Sequence, residues 1–232
     1  MSNTDLSTRL ARLLHLADSA LPTGGFAYSY GLESSRTFGL LHSESGLRNY
    51  LYSFLQQAVG LEVPFLNACY RAALPAGAEV LRTIVQEYDA QLLVPALHRG
   101  SLTQGKTWLR LLHSFYPAAD LPALGEWLAA EELPLHFVPL LALSLRRLEY
   151  ALPEIHTLYL HLALRDQISA AIRLGCLGPM EGHRLQHEFY AIFDDLLAGA
   201  DDLDHRHATR SAVLLDAAQM LHEQVYSRLF QN

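Results

Sequence analysis

Gly100, Gly105, Lys106 and Thr107 carry the sharpest chemical pattern in this chain. Their spacing matches Gly-x-x-x-x-Gly-Lys-Ser/Thr, a loop whose backbone N–H groups wrap nucleotide phosphates. That chemistry needs a strand ending at the first glycine and a helix opening after the lysine. Upstream, residues 91–99 contain Pro95, a poor residue for a central strand. Leu97, Ser101, Leu102, Gly105, Leu109 and Leu112 instead read as a helix with small residues on one side. The favoured reading is a helix whose two glycines permit close packing. The rival is a phosphate loop with Lys106 as its cation.

Twelve histidines invite a metal reading. His183 and His187 are spaced i, i+4 on an expected helix, which can aim two imidazoles at one ion. No third ligand is evident beside them. Asp201, Asp202, Asp204, His205 and His207 form a second cluster, equally readable as a solvated acidic loop after Gly199. His42, His98, His113, His156 and His161 read as isolated. Nucleophilic catalysis has no support: there is no Gly-x-Ser-x-Gly elbow, and neither Cys69 nor Cys176 has an activating neighbour. Glu131 and Glu132 are adjacent, so on a helix they point about 100° apart and make no acid–base pair. No catalytic residue, metal ligand or cofactor is assigned, and the expectation is a protein that is not an enzyme.

Two segments resist a purely structural reading. Ser19 to Glu33 packs Pro22, Gly24, Gly25, Phe26, Tyr28, Ser29, Tyr30 and Gly31 into one turn and helix entry. Gly24-Gly25 can take positive φ or admit another backbone. The rings beside them suit an interface anchor or plain core. The second segment, His222 to Phe230, ends on Tyr226, Arg228, Leu229 and Phe230, although chain ends are usually polar and frayed. Those side chains must be buried in their own core or in another chain.

Composition sets the scaffold that must position them. Leu (48) and Ala (29) make up 77 of 232 residues, while Val (8) and Ile (5) total 13. Buried parallel strands need Val/Ile-rich runs, and Leu and Ala lose little freedom in helices. The expected fold is all-α, a compact bundle of roughly ten helices in one domain, 1–232, with 211–232 as a docking helix or tail. Leu47, Tyr50, Leu51, Phe54, Leu55 and Ala58 form one helical stripe behind the candidate caps Ser43 and Ser45. Leu160, Leu164, Ile168, Ala171 and Gly175 form a second, behind Pro153. Leu214, Ala218, Leu221, Val225 and Leu229 form a third. Pro95 and Pro139 lie inside apolar runs and are expected to kink or end a helix.

A net charge of −7 argues against a nucleic-acid or anionic-membrane partner. Leu133–Leu145, an uncharged mid-chain run, is shorter than the ~18 residues a spanning helix needs. His15 and Asp18 interrupt the apolar run after Arg9 and Arg12, so no secretory leader is read there. Cys69 and Cys176 suit a reducing compartment, and the expected location is cytoplasmic.

The Ser19–Glu33 run resembles the S-A-L-P-x-G-G-F-x-x-S-x-G-L-E signature of the UreF family of urease accessory proteins. His222-Glu223, followed by Tyr226-Ser227-Arg228-Leu229-Phe230, resembles that family's H-E-x-x-Y-S-R-L-F ending. Arg99, Ser101, Gln104 and Gly105 resemble its R-x-S-x-x-Q-G stretch, and Ser169–Leu174 with Gly182 resemble its S-A-A-V-R-L…D-G-Q segment. The chain departs from the pattern at Pro179, Glu181 and His183. The resemblance implies an all-helical, dimerising, non-enzymatic scaffold. It would bind UreD (also called UreH) and the GTPase UreG and serve GTP-dependent nickel delivery to apo-urease. It also implies that Pro22, Gly24, Gly25, Phe26, Ser29, Gly31 and Glu33 form a partner-facing motif. His222, Glu223, Tyr226, Ser227, Arg228, Leu229 and Phe230 would form a docking motif. A generic helical adaptor, or a metal carrier using His183, His187 and His205, is the alternative.

Overall fold

The computed structural model describes residues 3–41, 43–72, 77–117 and 121–231. His42 and Pro75 lie outside them. Among the described residues the regular backbone is helical, without strands: α1 (Asn3–Leu16), α2 (Leu32–Thr37), α3 (Glu44–Gln57), α4 (Val63–Arg71), α5 (Ala78–Gln91), α6 (Pro95–Phe115), α7 (Leu121–Ala130), α8 (Phe137–Arg147), α9 (Leu152–Arg173), α10 (Pro179–Tyr190), α11 (Phe193–Leu197) and α12 (Val213–Leu221). The fold is all-α, as the Leu/Ala composition requires. No described helix is long and apolar enough to cross a membrane.

Local signals open several helices. Ser43 caps α3 by accepting the Gly46 N–H at 3.1 Å, and Leu47, Tyr50, Leu51 and Leu55 turn inward behind it. The Glu154 carboxylate accepts the Ala151 N–H at 2.6 Å ahead of α9. Pro95 and Pro139 do not kink or end a helix. Pro95 opens α6 and Pro139 sits in the first turn of α8. First-turn N–H groups have no intrahelical acceptor, so proline costs nothing there.

Two clusters form the core. Trp108, Leu140, Leu141, Leu145, Ile155, Leu158 and Leu162 belong to the first. Leu51, Leu55, Leu160, Leu164, Ile168 and Ala171 belong to the second. Helix α9 feeds both, so its apolar residues run nearly all round it rather than along one stripe. The uncharged run seen in the sequence becomes α8, buried from Val138 to Leu145.

The phosphate-loop pattern lies wholly inside α6. A Cβ on Gly105 would meet the Leu135 carbonyl oxygen at 2.0 Å, and one on Gly100 would meet the Tyr28 ring at 2.8 Å. These glycines admit a backbone and a ring; they do not cradle an anion. Gly105→Ala should therefore lower stability by roughly 2 kcal/mol through overpacking, or about 4–8 °C in Tm for a chain this size. At Gly125 in α7 the obstacle is only the Leu109 Cδ2 methyl at 3.3 Å. Gly125→Ala should change Tm by less than about 3 °C, since helix propensity offsets the contact. Thermal unfolding of the two variants checks the contrast.

Candidate partner-docking surface

The two segments singled out in the sequence meet in space. Gly24 (φ 94°) and Gly31 (φ 91°) take the left-handed conformation, with Tyr30 (φ 51°) between them. A Cβ on Gly31 would meet Gln219 Cγ at 2.9 Å, and one on Gly25 would meet the Asp166 carboxylate at 2.2 Å. The Tyr30 carbonyl accepts from the Tyr50 hydroxyl at 2.8 Å and from Gln219 Nε2 at 3.2 Å. Its own hydroxyl accepts from Gln104 Nε2 at 3.0 Å. The loop is thus fixed by α3, α6, α9 and α12 together.

Glu33, in the first turn of α2, ties the loop to residues 222–231. Its Oε2 lies 2.8 Å from His222 Nε2, and its Oε1 accepts the Leu229 N–H at 2.7 Å. The Glu33 and His222 side chains are 4% and 1% exposed. Further along, the Gln231 N–H donates to the Ala27 carbonyl at 2.8 Å. The Arg173 guanidinium carbon lies 3.5 Å from the Phe26 ring centroid and 4.0 Å from that of Phe230. One cation from α9 therefore contacts a ring from each segment. Burial draws the Arg173 pKa below that of a free guanidinium.

The expected motif residues divide into two groups. Gly25, Ser29, Gly31, Glu33, His222 and Phe230 are buried within the chain. Their contacts are made inside the chain. Pro22, Gly24, Phe26, Glu223, Tyr226, Ser227, Arg228 and Leu229 are exposed. Phe26 is 57% exposed, Leu229 65%, and Tyr226 is fully exposed. Arg228 braces its own turn by donating to the Val225 and Glu223 carbonyls. The helical stripe expected through Leu229 is corrected: α12 ends at Leu221, and Leu215, Ala218, His222 and Val225 turn inward while Leu214, Leu221 and Leu229 face out. The stripe holds only if the helix continues, and past Leu221 the chain turns through a 3-10 turn at His222–Gln224.

Behind the loop lies a partly open cavity of about 110 Å³ lined by Tyr30, Glu62, Tyr88, Ser101, Gln104 and Asp166, among others. Glu62 Oε2 is sealed from solvent with no hydrogen-bond partner. Burial pushes the Glu62 pKa up to about 8, against the pull of Arg210. Burial likewise raises Asp166, with Arg165 opposing it.

The histidines also fall differently from their sequence pattern. His183 and His187 are exposed on α10. Asp204 binds Arg206 and His207, and Asp201 lies 3.3 Å from His156. His98 is not isolated: its Nε2 lies 2.7 Å from Asp89 Oδ1. Among the described residues, Asp89, His98 and His136 are the group of three that could converge on a metal ion. His136 carried no local signal. Desolvation lowers its pKa, and its contacts with the two histidines lower that of Asp89.

Comparison with known proteins gives the class first. A rice (Oryza sativa subsp. indica) urease accessory protein F is 31% identical over 217 residues, covering 93% of this chain and 82% of that protein. Urease accessory proteins UreF from Arthrobacter sp. (strain FB24) and Pseudomonas fluorescens (strain Pf0-1) are 30% and 29% identical. They cover 95% of this chain, and 96% and 97% of their own lengths. These relatives are accessory proteins of urease. The UreF family model matches residues 41–190. The chain belongs to the UreF family, and its role is that of a urease accessory protein.

Glu33→Ala should leave His222 buried and unpaired and free the Leu229 amide. Hydrogen exchange should then show lost protection across 225–231, with α8 and α9 unchanged. Protection that persists would mean that other contacts hold the segment. Glu62 sets a pH dependence. The folded chain holds a proton that the unfolded carboxyl releases, so stability falls as pH rises from about 4.5 towards 8. Denaturant titrations of Glu62→Gln should be flatter over that window, with a gain of up to a few kcal/mol at its upper end.

Proposed function

We propose that this chain is the bridging scaffold of a urease-maturation assembly. In this reading it joins UreD/UreH to the GTPase UreG for GTP-dependent nickel insertion into apo-urease, works in the cytoplasm and assembles as a homodimer. The exposed side chains Phe26, Tyr226 and Leu229 are the docking elements, with Pro22, Gly24, Glu223, Ser227 and Arg228 around them. The buried group of Gly25, Ser29, Gly31, Glu33, His222 and Phe230 keeps that surface in shape.

The observation that carries the reading is the exposure of large apolar and aromatic groups on a rigidly buried base. Tyr and Arg are the residues most often found as interface anchors. A preformed base lowers the ordering cost of binding, so a few anchors suffice. The family membership supplies the urease context.

Tyr226 makes little contact within the chain, so Tyr226→Ala should leave circular dichroism and Tm unchanged. If Tyr226 is a central anchor, the substitution removes about 2 kcal/mol or more of binding, roughly a thirtyfold loss. Affinity for UreD measured with purified Tyr226→Ala and Leu229→Ala proteins tests this. Unchanged affinity in both would overturn the docking assignment.

A further inference from the structure

Three elements that lie apart in sequence bring Asp89, His98 and His136 to one point. Asp89 lies in the last turns of α5, His98 in the first turn of α6, and His136 immediately before α8. Both imidazoles turn the same nitrogen to the same carboxylate oxygen: Nε2 of His98 at 2.7 Å and Nε2 of His136 at 2.8 Å from Asp89 Oδ1. The two rings stand 5.0 Å apart at 81°. All three donor atoms lie within 4.8 Å of one another. His136 is fully buried, while His98 and Asp89 keep partial access to solvent.

We propose that Asp89, His98 and His136 form a binding site for one divalent first-row transition-metal ion. Two imidazole nitrogens and one carboxylate suit nickel, zinc or copper, and not the all-oxygen shells of calcium or magnesium. The partial exposure of His98 and Asp89 leaves a side through which water or another ligand can complete the coordination.

The surroundings of His136 fit a ligand. Its Nδ1 lies 3.1 Å from Ser101 Oγ, which also accepts the Phe137 N–H at 3.3 Å. A metal-bound histidine commonly has its second nitrogen held this way, which fixes ring and tautomer. A hydroxyl can serve both states, because it donates as readily as it accepts. Without metal, His136 Nε2–H donates to Asp89 and Ser101 donates to Nδ1. With metal, Nε2 gives its lone pair to the ion and Nδ1–H donates to Ser101. The Ser101 proton then turns away, towards the Tyr88 hydroxyl with which it also interacts.

The site stands on geometry alone and does not depend on the docking surface. The i, i+4 pair His183 and His187 offers only two imidazoles, on an exposed helix face. The test sets the two pairs against each other. Tag-free full-length chain is titrated calorimetrically with nickel chloride and with zinc chloride, and cobalt(II) absorption reports the ligand field. Wild type should bind one ion per chain at this site. His98→Ala and Asp89→Asn, both partly exposed, should weaken binding at least ~10-fold with unchanged circular dichroism. The His183→Ala/His187→Ala double variant should bind this ion as wild type does. Absence of binding in wild type, or loss in the double variant with retention in His98→Ala, would overturn the proposal.

Discussion

A carboxylate out of contact with water must find its hydrogen bonds within the protein. Glu33 satisfies this by reaching one imidazole and one backbone amide 189 and 196 residues further along the chain. A buried charge left without these partners costs several kcal/mol, so α2 and residues 222–231 hold each other in place. The positive-φ glycines follow from the same requirement. Gly31 lets α2 start directly against Gln219, which brings Glu33 within reach of His222. Arg173 adds a cation shared by rings from both segments.

Helix α9 makes this possible. Its first half packs into one cluster with Trp108 and α8, and its second half into the other with α3 and α10. Its last residue, Arg173, reaches the Phe26–Phe230 junction. A single helix of 22 residues, about 33 Å long, therefore links the interior to the exposed surface. The exposed rings sit on a base fixed from several directions, which is the arrangement that lets few contacts give useful affinity.

Much of the scaffold was legible in the residues. Excess Leu and Ala meant helices, Ser43 marked the start of α3, and the crowding at Gly100 and Gly105 followed from their small size. The two motif segments stood out because their residue types exceeded what a turn or a frayed end requires. What spacing did not show was which motif residues are buried. That depends on contacts across nearly the whole chain, such as Glu33 with His222. Pro95 and Pro139 misled because helix starts were set by neighbouring elements. His98 looked isolated because its partners, Asp89 and His136, come from two other helical units, and i, i+4 spacing drew attention to His183 and His187 instead.

The long separation between Glu33 and His222 also orders events during synthesis. A ribosome releases Glu33 well before it has made His222, so the early carboxylate stays hydrated while most of the helices are still emerging. Its buried partners, the His222 imidazole and the Leu229 amide, exist only once the last residues have been made. A chain interrupted before residue 222 lacks both partners of Glu33 and the Phe230 ring beside Arg173, so the face they build together is among the last parts of the molecule to be completed.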